Sequence, residues 1–185
     1  RLAGTKRFFI QLSPYVMQDD LRDILRDKGF RHHNNWVKLW RKADQPMPEV
    51  NTELTAVSIG PEDALTYGQI IYDSFDWEDK RLIRWLASTV GQSGYRHYLA
   101  VHQGKPVAAA ALHINDEYAS MAFAGTLTEY RGIGAQGLLL KTRISDAIKV
   151  GCQYIISETA EEKPESSVAS YRNMRRFGFE EAYLR

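Results

Sequence analysis

The chain has 185 residues, a length that fits one domain with room for a small appendage, and its 44% hydrophobic and 25% charged content is that of an ordinary globular protein. A formal net charge of +1 provides no whole-molecule field to recruit nucleic acid or an anionic membrane, and a single cysteine, Cys152, excludes an internal disulfide framework. Pro106 to Ile114, the longest nearly uncharged apolar run, is too short to span a bilayer, and the residues from Arg1 onward do not have the pattern of a secretory leader, whatever precedes them, so the cytoplasm is the default expectation.

Residues 1–50 read as a small appendage and linker, ahead of a main domain over 51–185. Within the appendage, Lys6 to Ser13 is expected as a strand, Gln18 to Lys28 as a helix stopped by Gly29-Phe30, and Trp36 to Trp40 as a second strand. The end of the chain has the same order: a strand from Cys152 to Ser157, a helix through Tyr171 and Met174, a Gly178-Phe179 stop and a last strand to Leu184. The front therefore reads either as a degenerate half-copy of the end or as an unrelated β-α-β arm. "KADQPMPEVNTE", with two prolines and few apolar residues, is the linker.

The main domain opens with a strand at Thr55–Ile59, ended by Gly60-Pro61. Pro61-Glu62-Asp63 starts a first helix, and a second is expected from Glu78 to Val90, ending at Gly91. Three strands follow, Tyr95 to His102, Pro106 to Ile114 and Tyr118 to Leu127, joined by short polar links that imply antiparallel hairpins. Leu139, Leu140, Ile144, Ala147 and Ile148 then mark a long helix closed by Gly151. The pattern is that of an α/β protein with a mixed sheet.

Between the third hairpin strand and that helix lies Gly132-Ile133-Gly134-Ala135-Gln136-Gly137, a literal GxGxxG. A glycine-rich turn into a helix presents backbone N–H groups at the positive end of the helix dipole, so a pyrophosphate is a natural guest. The motif alone does not choose between a dinucleotide and an acyl-CoA. Context weighs against the dinucleotide. Thr128 to Arg131 intervene between the strand and the first glycine, and the 48 residues after Gly137 are too few for the remaining βαβ units. Glu158, at a strand end, is the one feature a ribose-binding site would share.

The same residues resemble the cofactor motif of the GNAT acetyltransferase superfamily, Arg/Gln-x-x-Gly-x-Gly/Ala after a Pro-Glu-Tyr-like turn. Arg131-Gly132-Ile133-Gly134 fits it after Thr128-Glu129-Tyr130, whereas Gln136 stands where the motif has Gly or Ala. The resemblance covers about Thr55 to Arg185 and is closest to bacterial members with an RGxGAQ loop and a YRNM…GF segment, here Tyr171 to Met174 with Gly178-Phe179. It implies an acyl-CoA N-acyltransferase fold and direct acetyl transfer from acetyl-CoA to a primary amine of a small molecule or peptide. The alternative is an acyl-CoA-binding sensor or interaction module without turnover.

By the same resemblance Arg131, Gly132, Ile133, Gly134, Ala135, Gln136 and Gly137 hold the pyrophosphate. Gly125, Thr126 and Leu127 border a splayed gap for the pantetheine and offer a free N–H, and Asn173 touches the cofactor arm. Glu158 is the candidate base, with a structural carboxylate as its alternative. The usual acidic tyrosine position is Met174, so Tyr171 is the nearest substitute, with a packing role as its alternative. The thiol of CoA is a tolerable leaving group even without an acid. Asp116 and Glu117 read as turn charges, Arg172, Arg175 and Arg176 as a basic helix face that could meet a phosphate, and Cys152 as a buried inert thiol. His32-His33 is read as a polar turn, and no histidine spacing suggests a metal. A monomer or homodimer is expected.

Overall fold

The computed structural model describes residues 9–16, 20–162 and 168–185. Its helices are α1 (Leu21–Asp27), α2 (Ala64–Ser74), α3 (Arg81–Ala87), α4 (Ala135–Lys149) and α5 (Ala169–Arg176). Its strands are β1 (Trp36–Lys42), β2 (Thr55–Ile59), β3 (Tyr95–His102), β4 (Lys105–Asn115), β5 (Tyr118–Thr126), β6 (Tyr154–Ala160) and β7 (Glu180–Leu184). One sheet contains all seven in the order β2-β3-β4-β5-β6-β1-β7. Only β5 and β6 pair in parallel; the other neighbours are antiparallel. A sheet of this kind is not the parallel, strand-helix alternating frame of a dinucleotide fold.

Strand alternation divides the core into two layers. Ala108, Ala110 and Leu112 of β4 face the layer of α4, with Leu139, Leu140, Ile144 and Ala147. Ala109 and Ala111 face the layer of α2 and α3, with Tyr67, Ile71 and Leu86. Alanines along the middle strand let both helices approach closely, and all four from Ala108 to Ala111 are at most 1% exposed.

β1 is inserted between β6 and β7, pairing with β6 along its whole length from Trp36↔Ala160 to Lys42↔Tyr154. Val37 and Leu39 thereby join the α4 layer, each 1% exposed. That pairing carries β6 to Ala160, three residues beyond its expected end.

The expected strand over Lys6 to Ser13 is corrected where it can be seen. Phe9 to Ser13 is not strand and runs into a 3-10 turn at Pro14–Val16, while residues 6–8 lie outside the described residues. A strand needs an edge to pair with, and Phe9 to Ser13 takes neither of the two that the sheet leaves open, those of β2 and β7. The helix expected over Gln18 to Lys28 is α1, its start at residues 18–19 lying outside the described residues. The second helix of the main domain is shorter than expected at both ends: the Asp79 carboxylate accepts from Arg81 N–H (3.0 Å) and holds the chain in a turn before Arg81, and after Ala87 the N–H groups of Thr89 and Val90 donate to the carbonyls of Leu86 and Ala87 (3.1 Å each) in tighter turns.

α1 and α5 close alike. Lys28, Gly29 and Phe30 N–H donate to the carbonyls of Ile24, Arg26 and Leu25; Phe177, Gly178 and Phe179 donate to Asn173, Arg175 and Met174. Gly29 and Gly178 both have positive φ, 84° and 80°, the left-handed geometry of a Schellman stop.

Candidate functional site

The parallel pairing of β5 with β6 covers only Tyr118↔Tyr154, Ala119↔Ile155 and Ser120↔Ile156. Beyond Ser120 the strands part, and the cause is visible in β5. Ala111 pairs with Ala122 but Ala110 with Ala124, so Phe123 is an extra residue in a β-bulge that bends the strand away.

The bulge is held from inside the sheet. Arg143 of α4, 1% exposed, donates from Nη1 to the carbonyls of Ala111 (3.1 Å) and Ala122 (3.4 Å), the pair on its rim, and from Nε to Leu139 O (3.1 Å). Burial pushes this guanidinium down to about 10, leaving it charged at neutral pH. Sequence reasoning missed Arg143, although a cation in the apolar stripe of Leu139, Leu140, Ile144 and Ala147 was a legible signal.

Backbone alternation decides which β5 groups face the gap. Leu127 N–H donates to Val107 O (3.0 Å), so Leu127 and Gly125 are in register to bond β4, while Ala124 and Thr126 direct their N–H groups to the β6 side. Of the expected donors, Thr126 therefore fits the gap, whereas the Leu127 N–H is already used.

At the end of β5 the glycine-rich loop enters α4. Gly134 caps the helix at φ 92°, left-handed, and a Cβ there would lie 3.0 Å from Thr52 Cβ, so only glycine suits the position. Thr52 Oγ1 donates to Ile133 O (2.7 Å), which places the linker against the loop. Arg131 ties the loop to its surroundings, donating to Thr126 O (3.4 Å) and to Ser74 O at the end of α2 (3.1 Å). Asn173 Nδ2 donates to Gln136 Oε1 (2.5 Å), joining α5 to the first turn of α4. Loop, gap and Asn173 thus form one continuous region, with the positive end of a 15-residue helix at its centre.

Glu158 and Tyr171 do not meet. Glu158 pairs across the strands with Lys38, on the sheet face of α2 and α3; its carboxylate accepts from Lys38 Nζ (2.8 Å) and from Arg185 Nη2. Tyr171 packs on the opposite face against the α4 layer and donates its hydroxyl to Glu181 of β7, a bond that raises its pKa above the ordinary tyrosine value. Met174 is buried in the same core. Cys152 is a buried free thiol whose pKa burial pushes up. Arg172 lies 3.6 Å from Glu162, and Arg175 donates to Phe179 O (2.9 Å). His32 Nε2 is hydrogen-bonded to Asn35 (2.8 Å). Among the described residues no cluster of metal-ligating side chains occurs, and no helix is long and apolar enough to cross a membrane.

Comparison with known proteins agrees with this fold. Among solved structures, the chain resembles a GCN5-related N-acetyltransferase from Sphaerobacter thermophilus, with a TM-score of 0.71 at 20% identity, over 88% of this chain and 53% of that one. A similar match is a GCN5-related N-acetyltransferase from Kribbella flavida, with a TM-score of 0.61 at 21% identity, covering 90% and 62%. A predicted acetyltransferase from Clostridium acetobutylicum, solved with acetyl-CoA, matches with a TM-score of 0.56 at 13% identity, covering 69% and 90%. At these identities the likeness is one of fold, and the chain spans 53% to 65% of the length of the first four matching structures. No curated protein sequence matches significantly. The family model for the acetyltransferase (GNAT) family matches residues 63–179, which include the gap, the glycine loop and Asn173, and the chain therefore belongs to the GNAT acetyltransferase family.

Proposed function

We propose that the chain is an acetyl-CoA-dependent N-acetyltransferase acting by direct transfer. The observation that carries this reading is the continuity of the glycine loop, the N-terminus of α4 and the β5/β6 gap. The diphosphate accepts from backbone amides between Arg131 and Gly137, and the pantetheine arm lies in the gap. The N–H groups of Ala124 and Thr126 are aimed where negative charge grows on the thioester oxygen. The amine nitrogen forms the new N–C bond as the C–S bond breaks, and CoA leaves as a thiolate that needs no strong acid.

For the amine proton, Glu158 is the candidate acceptor, since it faces the α2 and α3 side at the level where the strands part. Its two cationic partners favour a second reading, a structural carboxylate with the proton passing to water. Glu158→Gln separates them: a base requires a drop of at least about a hundredfold in kcat, a structural role much less. Tyr171→Phe removes a hydroxyl bonded to Glu181 and should retain most of kcat.

The whole scheme is tested by thiol release from acetyl-CoA with a panel of amines, together with thermal stabilisation by acetyl-CoA. Release with some amine is expected. Stabilisation without release from any amine would instead support an acyl-CoA-binding module, the reading favoured by the buried Met174 and the engaged Tyr171.

A further inference from the structure

Four aromatic side chains meet on the α2 and α3 side of the gap. Phe75 stacks on Trp77 with centroids 5.0 Å apart, Trp77 meets Phe123 edge to face at 6.3 Å, and Phe123 meets Trp85 at 5.6 Å. Three of them are open to water, Phe75 at 45%, Phe123 at 38% and Trp85 at 52%. Scattered exposed apolar residues need no explanation, but rings grouped edge to face at one spot form a patch that water solvates poorly.

The position of the patch is fixed by the gap. Phe123 is the bulge residue, just beyond the last β5/β6 rung at Ser120 and between Ala122 and the gap-facing Ala124. The end of α2 is pinned to the same place: Arg131 donates to Ser74 O, and a Cβ on Gly125 would lie only 2.5 Å from Ser74 Cβ. The rings therefore stand beside the N–H groups assigned above to the thioester carbonyl. Asp76 and Glu78, both exposed, bracket Trp77 in the chain.

We infer that the acceptor is a primary amine carried on an aromatic or bulky apolar body, seated against Trp77, Trp85 and Phe123. This inference rests on the acetyl-transfer reading and adds the substrate class to it. Flat rings at edge-to-face angles give an aromatic guest both stacking and edge contacts, and their negative faces attract the ammonium before it is deprotonated. Transfer then forms the N–C bond and breaks the C–S bond; CoA leaves as the thiol or thiolate, and the amine loses its proton to solvent or a base.

The test compares 2-phenylethylamine with ethanolamine, two primary amines of which one lacks the apolar body. With the full chain and saturating acetyl-CoA, thiol release should give a kcat/KM at least tenfold higher for 2-phenylethylamine. Trp85→Gln and Phe123→Ser alter exposed side chains, so acetyl-CoA should still stabilise both variants while the preference collapses. Equal kcat/KM values for the two amines, or a preference unchanged in both variants, would overturn the inference. If acetyl-CoA stabilises the protein but no amine yields thiol, quenching of tryptophan fluorescence by 2-phenylethylamine in the presence of CoA decides. Saturable quenching weakened by Phe123→Ser supports the aromatic site and sinks only the transfer reading; no saturable quenching sinks the site. Concentration-dependent dimerisation abolished by Trp85→Gln would assign the patch to a second copy and overturn the proposal.

Discussion

The sheet has two unlike halves. β3, β4 and β5 are covered on both faces, by α4 on one and by α2 on the other, and their centre is a run of buried alanines. In the β6-β1-β7 end, Val37, Leu39 and Ile155 face the core on one side only. The opposite face carries Lys38, Trp40, Glu158, Tyr183 and Arg185, all partly exposed. The gap lies where the halves meet. A rigid, doubly packed half holds the bulge in place, and the other half supplies a charged and aromatic wall assembled from distant parts of the chain.

Removing residues 1–50 should disrupt the β6-β1-β7 half most. That deletion takes β1 out of the sheet and leaves β6 and β7 without their shared neighbour, together with the buried Val37, Leu39 and Arg41. Loss of soluble, cooperatively folding protein is expected in a thermal melt. A deletion variant that melts with the parent would show that the second half does not depend on β1.

A smaller change tests the rigid half. Arg143→Met keeps much of the volume but leaves the carbonyls of Ala111 and Ala122 without their buried donor, at a cost of about 3 kcal/mol. If the guanidinium holds the bulge, acetyl-CoA affinity should fall as well, by at least about tenfold, when titrated below the melting range. Intact affinity in the destabilised variant would confine Arg143 to packing.

Acid sensitivity in the same half is more gradual, smaller over any one pH unit than the loss expected for Arg143→Met. His97 is 1% exposed, hydrogen-bonded to Thr89 Oγ1 (2.9 Å) and edge-on to Tyr67. Burial pushes its pKa down from 6.5 to about 4, so the unfolded chain binds a proton that the folded one refuses. Its contribution is full above pH 6.5 and is lost as pH falls toward 4, by up to about 1.4 kcal/mol per pH unit. Denaturant melts of His97→Gln should show a shallower loss of stability over that window; an unchanged slope would show that other groups carry it.

The two halves also differ in how far the sequence reveals them. β2, β3 and the hairpins to β5 are legible because local alternation and turn residues agree with the final pairing, and the glycine loop is legible because its spacing is short and its chemistry narrow. The place of β1 between β6 and β7 is not, since a strand's pattern states which face it buries but not which edge it joins. For the same reason the ion pairs of Glu158 were hidden: Lys38 and Arg185 reach it only through that insertion. The bulge at Phe123 shows in sequence only as a lapse in alternation, without Arg143 to explain it. The matching stops of α1 and α5 support reading the α1-β1 segment as a half-copy of α5-β7, which we retain as a proposal.

Binding of the acetyl-CoA diphosphate by the amides at the start of α4 is what Gln136→Glu probes. Any side chain at Gly134 would strain the left-handed cap and confuse binding with folding, whereas this change is isosteric and keeps an oxygen for Asn173. A carboxylate in the first helical turn should leave the unliganded protein as stable as the parent or raise it by about 0.3–1 kcal/mol. Acetyl-CoA at a hundred times its Kd should stabilise the parent by about 2.7 kcal/mol, and at the same concentration Gln136→Glu by much less, because the new charge repels the diphosphate. An undiminished shift in the variant, or stabilisation of the parent by NAD and not by acetyl-CoA, would show that these amides do not hold the diphosphate of acetyl-CoA.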